Sequence, residues 1–195
     1  MSYKQGLNEI LAPLLLLFSR VPGAKTGNPG IAGGSGGLTD DARDLVFTCF
    51  YAFVSQHLPS IYSGHQFESL QCYFGFFNLL LRYHDPELSS MLTLRNMLPE
   101  LYAVPWFLTL FARKTPLALV MALWDAYIID GDPFLHVFVA LALLTQNREA
   151  LLKAPEDDLV PTLTALGMKT LNEVRMRVAE VIFLFFLINF SAGGY

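Results

Sequence analysis

The chain has 195 residues, 53% of them hydrophobic and 15% charged, and a net charge of −4. That length fits one domain with a sizeable core, and the apolar balance leaves surface for a partner to cover. No lysine or arginine cluster is present, which excludes a nucleic-acid footprint and a polybasic membrane patch.

The pattern predicts helices throughout. Leu7 to Ser19 is apolar and helical in period, with Pro13 removing one backbone donor inside it. Residues 21–38 hold seven glycines and no apolar period, and are expected to form a flexible loop. Thr39 is an N-cap residue followed by Asp40 and Asp41, which suit the positive end of a helix dipole. Leu45, Val46, Cys49, Phe50, Phe53 and Val54 then keep helical spacing to about His57. The next helix spans Gln66 to Tyr83, with Phe67, Leu70, Tyr73, Phe74, Phe77 and Leu81 as its stripe.

Asp85-Pro86, Thr115-Pro116 and Asp132-Pro133 share one grammar, a capping side chain before a proline at the first helical position. They predict helices to Asn96, from Leu117 to Asp130, and from Phe134 to Leu152. The second should face Val120, Met121, Leu123, Trp124, Tyr127 and Ile128 inward and stop at Gly131. Tyr102 to Arg113 is apolar almost all round and reads as a buried helix. Pro155 and Pro161 bracket a polar connection, and a last helix runs from Lys169 to Asn189. No alternating strand pattern occurs, so the expected class is all-α with eight or so helices.

Several chemical readings fail on context. Gly33-Gly34-Ser35-Gly36-Gly37 has the letters of a nucleophile elbow but no strand leads into it, and Gly23-Ala24-Lys25-Thr26 lacks the strand a phosphate loop needs. Cys49 and Cys72 lie in apolar helical patterns and are expected to be buried, reduced thiols. His57, His65, His84 and His136 show no metal-ligand spacing, so no metal is expected. The apolar run from Val181 to Ile188 is too short to cross a bilayer of about 30 Å. With no basic region and apolar stretch of signal-peptide type at the start, the expected location is cytoplasmic.

Two blocks carry a resemblance. Tyr3-Lys4-Gln5-Gly6 runs into an apolar helix with a proline at position 13. Leu101-Tyr102-Ala103-Val104-Pro105-Trp106-Phe107-Leu108-Thr109-Leu110-Phe111-Ala112-Arg113 is followed by Pro116-Leu117, Leu123-Trp124-Asp125 and Asp130-Gly131-Asp132-Pro133-Phe134-Leu135. Together they resemble the TBC domains, the Rab GTPase activators, over residues 2 to 152. The resemblance implies a multi-helix, V-shaped all-α fold, with residues 153–195 supplying C-terminal helices that complete it.

It also implies a role for the first block. GTP hydrolysis needs a positioned water and stabilised charge on the transferring phosphoryl group. An arginine supplied in trans is worth about 10³–10⁵ in rate, or roughly 4–7 kcal/mol of barrier. A glutamine amide both donates and accepts, so it can orient the attacking water. By the resemblance Gln5 is that glutamine finger, Tyr3 braces its loop, and Gly6 lets the backbone pass close to the GTPase. Trp106 and Trp124 are expected in the core, and Asp125 as a buried hydrogen-bond anchor, since a buried carboxylate needs partners.

The family's arginine motif, I-x-x-D-x-x-R, precedes its glutamine motif and does not occur in these residues. Arg20, Arg43, Arg82, Arg95 and Arg113 stand in other contexts. The expectation is therefore a C-terminal portion of a TBC domain whose N-terminal helices are absent, by clipping, by shortening, or because another chain pairs with it. The expected partners are a GTP-bound Rab-family GTPase and that N-terminal half. The chain needs no cofactor of its own, GTP and Mg²⁺ being the partner's, and its Rab recruits it to membranes. The alternative is a TBC-like binding or scaffold module without catalysis.

Overall fold

The computed structural model describes residues 4–23, 37–58, 62, 66–168, 170 and 179. Ten α-helices and no β-strand occur among the described residues. They are α1 (Leu7–Phe18), α2 (Asp40–Ala52), α3 (Gln66–His84), α4 (Pro86–Leu94), α5 (Pro99–Tyr102), α6 (Val104–Thr109), α7 (Leu117–Asp130), α8 (Leu135–Gln146), α9 (Arg148–Lys153) and α10 (Glu156–Ala165). A π-helical turn, Phe53–His57, extends α2.

The core is built around α8. All ten residues from Leu135 to Leu144 are buried, because α3 and α6 pack against this helix. A helix apolar on every side must be central. The stripe of α3 lands as its period predicts, with Leu70, Tyr73, Phe74, Phe77 and Leu81 all buried. Phe74 and Phe77 both meet the Phe107 ring, at centroid separations of 5.5 and 5.9 Å. Burying each such side chain is worth about 1.5–3 kcal/mol.

Caps follow the sequence in two places. Thr39 accepts from the Ala42 amide at 3.3 Å, and Asp85 from the Leu88 amide at 3.0 Å. Gly131 ends α7 in the left-handed region at φ 63°, where a glycine carries no Cβ penalty. The other two Pro starts depart from expectation. At the second, α7 spans Leu117–Asp130 as expected, but Pro116 is extended at ψ 140° and stands outside the helix, with no side-chain cap from Thr115. At the third, the Asp132 carboxylate accepts from the Phe134 amide at 2.8 Å and makes a local turn, which delays α8 to Leu135.

Four further expectations are corrected. The helix from Phe134 to Leu152 breaks at Asn147, whose backbone leaves the helical region and whose side-chain amide donates to the Leu143 carbonyl at 2.7 Å. The segment from Tyr102 to Arg113 is a short helix, α6, followed by Leu110 and Phe111 at φ 45° and 65°. Pro155 to Pro161 is no mere connection. It contains most of α10, which Glu156, Asp157 and Asp158 favour at its positive end and which carries Pro161 inside. Leu45 and Ile128, assigned to inward faces, are about half exposed at 51% each.

The cysteines also differ from expectation. Both are free thiols, but Cys49 is half-buried and Cys72 exposed. Cys72 is two positions from Leu70, about 200° round α3 and so opposite its buried stripe. The glycine-rich stretch 24–36 and the predicted helix from Lys169 to Asn189 lie outside the described residues, except for residues 170 and 179. No helix among the described residues is long and apolar enough to cross a membrane.

Asp125, expected as a buried anchor, is exposed. Its neighbour Trp124 faces the core, and one residue of helix turns the next side chain by about 100°. Among the described residues the buried carboxylate is Asp85. Besides capping α4, it accepts from Arg148 Nε at 2.8 Å, and the same guanidinium reaches Glu87. Arg95 Nη1 donates to the Ala154 carbonyl at 2.8 Å. These contacts fasten α4 to α9 and to the residue that follows it.

Candidate functional site

Gln5 is exposed on the turn that leads into α1, and Gly6, beside it, is buried. The turn is closed by backbone bonds. Leu7 N–H donates to the Lys4 carbonyl at 3.3 Å, and the Glu9 and Ile10 amides both donate to the Gly6 carbonyl, at 3.0 and 3.2 Å. Gly6 sits at φ 98°, a conformation open to glycine and strained for other residues. A Cβ added there would overlap the Leu108 carbonyl and lie 3.1 Å from the Tyr62 hydroxyl. Gly6 is thus required by a contact inside this chain.

Tyr62 completes that contact. It is buried, and its hydroxyl donates to the Leu108 carbonyl. Burial, and then the nearby Glu9 carboxylate, push its phenol well above the ordinary tyrosine value. The hydroxyl therefore keeps its proton and stays a donor. Gly6, Tyr62 and Leu108 make one junction beneath the Gln5 turn.

The second attachment lies one helical turn further along α1. Arg113 holds the Glu9 carboxylate with two parallel bonds, Nη2 to Oε1 at 2.6 Å and Nε to Oε2 at 2.9 Å. Such a fork fixes geometry as well as charge. The Glu9 hydrogen bond, then its charge, raises the Arg113 pKa further, so the guanidinium stays charged.

The segment carrying Leu108 and Arg113 is itself held rigidly. Two successive non-glycine residues in the left-handed region, Leu110 and Phe111, need support from their surroundings. The Trp124 indole donates from Nε1 to the Leu110 carbonyl at 3.2 Å, and the Phe111 amide donates to the Trp106 carbonyl at 3.0 Å. Trp106 stacks on Phe111 at 6.3 Å and meets Tyr102 edge-on at 5.4 Å. Trp124 packs on Phe53 at 5.0 Å. Both tryptophans are buried, at 3% and 2% exposure, in the core position expected of them.

The two sequence blocks, roughly a hundred residues apart, therefore meet in space. Tyr3, expected to brace the loop, lies outside the described residues. Tyr62, Glu9 and Arg113 were not identified as partners of this loop from the sequence. Glu9 and Arg113 are separated by 104 positions, and no local pattern joins them. Tyr62 stands in a turn-rich segment without apolar period, which masks its burial.

The arginines set aside on context are occupied where their partners are described. Arg113 is on Glu9, Arg95 on Ala154, and Arg43 on Asp40 at 3.1 Å. Among the described residues no group of three or more histidines, cysteines, aspartates or glutamates is placed to hold a metal ion.

The family profile described as the Rab-GTPase-TBC domain matches residues 1–152. The chain is 31% identical over 150 residues to the TBC domain-containing protein kinase-like protein of Homo sapiens, covering 77% of this chain and 14% of that protein. It is 37% identical over 84 residues to the GTPase-activating protein GYP5 of Saccharomyces cerevisiae, covering 43% of this chain and 9% of that one. The chain thus spans a small fraction of the curated relatives it matches. The crystal structure of the Ypt/Rab-GAP domain of Gyp1p superposes with a TM-score of 0.73 at 19% identity, over 95% of this chain and 60% of that one, and so shares its fold. By the profile match over residues 1–152, this chain belongs to the Rab-GTPase-TBC family.

Proposed function

We propose that the chain stimulates GTP hydrolysis by a Rab-family small GTPase, with Gln5 as a glutamine finger acting in trans. The carrying observation is that Gln5 is exposed at the tip of a turn whose next residue is buried against the Leu108 carbonyl. An amide displayed from so constrained a backbone suits the work required, which is orienting a water rather than covalent chemistry. Gln5 donates from its amide nitrogen and accepts at its carbonyl, so it bridges the attacking water to the phosphoryl group. GTP and Mg²⁺ come with the GTPase. On the same reading Tyr3 braces the loop, and membrane association follows from the Rab.

The arginine that stabilises the transition-state charge is assigned to a segment preceding residue 1 in the complete domain, since I-x-x-D-x-x-R does not occur in residues 1–195. Residues 153–195 belong to the same domain. In favour of this, Leu159, Leu163, Leu166 and Met168 join the main core.

The test is phosphate release from GTP-loaded Rab proteins with the full-length protein and its Gln5→Ala variant. Stimulation should fall about 10²-fold in the variant, the scale for removing one preorganised polar group. Unchanged stimulation excludes Gln5. If no arginine is supplied from outside these residues, the other reading holds, a module that binds the GTPase without catalysis. There the unaltered protein binds GTP-loaded Rab but does not accelerate release.

A further inference from the structure

We infer that Glu9 and Arg113 are positioning residues for the Gln5 turn, an inference that rests on the glutamine-finger reading above. Gln5 is attached to the domain through Gly6 and the first turn of α1. Leu7 and Ile10 of that turn are buried in the core, where α1 packs on α2, α6 and α7. Two polar-side contacts add to this packing. One is steric, Gly6 against the Leu108 carbonyl that Tyr62 also binds, and it fixes where the backbone passes. The other is the Glu9–Arg113 fork, one turn along the helix. With two bonds at 2.6 and 2.9 Å it fixes direction, which apolar packing does not.

Position along the helix makes the coupling direct. The Glu9 amide donates to the Gly6 carbonyl at 3.0 Å, so whatever holds Glu9 holds the Gly6–Leu7 peptide, the one next to the peptide that carries Gln5. On the other side, Arg113 follows the left-handed pair Leu110–Phe111 that Trp124 and Trp106 clamp. The fork therefore ties the turn to a segment that is braced from the core. The pair is partly solvated, with side-chain exposures of 48% for Arg113 and 24% for Glu9. Its contribution to overall stability is small for that reason, and its effect falls on orientation. Displacing a positioned group by about 1 Å lowers rate about 10²-fold.

The experiment has two arms, both on the full-length protein. In the first, Glu9→Gln and Arg113→Gln are assayed for stimulated GTP hydrolysis with Gln5→Ala as reference. Each should lower kcat about ten-fold while the KM for the GTPase holds, and the exchanged pair, Glu9→Arg with Arg113→Glu, should recover most of it. A rise in KM with kcat intact, or no change in either, overturns the inference. The second arm is hydrogen exchange, which needs no GTPase. The Leu7, Glu9 and Ile10 amides should exchange about ten-fold faster in each single variant while those of α8 do not change. Equal protection at these amides overturns the positioning role even if kcat falls. Glu9→Asp, which keeps the charge and withdraws it by one methylene, serves in both arms should a glutamine variant fail to fold. If Gln5→Ala has no effect on hydrolysis, the glutamine-finger reading fails by itself, and the exchange arm still decides whether the pair holds the turn.

Discussion

Trp124 Nε1 donates to the Leu110 carbonyl at 3.2 Å, and this bond joins the middle of α7 to the left-handed turn after α6. Leu110 and Phe111 occupy a region that branched or bulky residues avoid, at a cost of roughly 1–3 kcal/mol each. Trp124 supports the Leu110 half of this turn through its bond, as Trp106 supports the Phe111 half, and Trp124 is itself packed on Phe53. Trp124→Phe should therefore destabilise the fold by about 1–3 kcal/mol, because it leaves a buried carbonyl without its donor. Urea denaturation measures this, and a loss under 0.5 kcal/mol in order of magnitude would mean the turn is held by other groups.

The Gly6 junction can be tested from both sides. Gly6→Ala places a methyl against the Leu108 carbonyl and forces alanine to φ 98°. The expected loss is about 2–4 kcal/mol, combining left-handed strain with overpacking. Tyr62→Phe keeps the ring and removes the hydroxyl that donates to Leu108, with an expected loss of about 1 kcal/mol. Thermal melts of the two single variants and their double give the coupling, which should be non-additive because both act on one carbonyl.

Asp85 joins two contacts in one buried carboxylate: the α4 cap at Leu88 and the guanidinium of Arg148, the first residue of α9. Asp85→Ala should cost about 2–4 kcal/mol, the sum of a lost N-cap and a broken partly buried pair. Asp85→Asn keeps an oxygen for the cap but weakens the tie to Arg148, so its loss should be about half as large. Asp125→Ala, on the exposed face of α7, should stay within about 0.5 kcal/mol. Equal losses at Asp85 and Asp125 in guanidinium melts would refute the assignment of Asp85 as the anchor.

His136 gives the fold a pH dependence. It is fully buried on α8, with Tyr73 at 4.6 Å, Phe107 at 5.2 Å and Tyr127 at 6.4 Å between ring centroids. Neither ring nitrogen meets hydrogen-bond geometry with a partner. Burial pushes its pKa from 6.5 down to about 3, with the Pro133 backbone opposing only in part. The unfolded chain takes up a proton at about pH 6.5 and the folded chain does not, so the stability this group confers is complete above that pH. It declines as pH falls from about 6.5 toward 3, by about 1.4 kcal/mol per unit within that window. The stability difference between wild type and His136→Phe should therefore slope between pH 6 and 4 and be flat above pH 7. A flat difference throughout would place a proton on the folded ring.

Much of this protein follows from its chain alone. Helical period predicts the inward faces of α3 and most of those of α2 and α7, because side-chain direction repeats every 3.6 residues whatever the helix packs on. Thr39, Asp85 and Gly131 mark helix ends, since caps and left-handed stops are local chemistry. The two blocks around Gln5 and Trp106 are legible as letters and carry the family. What the chain alone does not disclose is every relationship between distant residues. Thr115 and Asp132 look like Asp85, yet only Asp85 caps a helix, because the backbone beside each proline is set by what packs on it. Residue type does not separate Asp125 from Asp85, and only their place in the fold decides which is buried. Gly6 appears in the sequence as freedom for the backbone, whereas the tertiary structure makes it the one residue that fits against Leu108. Glu9 and Arg113, 104 positions apart, carry no mutual signal in either neighbourhood. Local grammar is fixed by covalent geometry, while pairing across the core is fixed by where the helices come to rest.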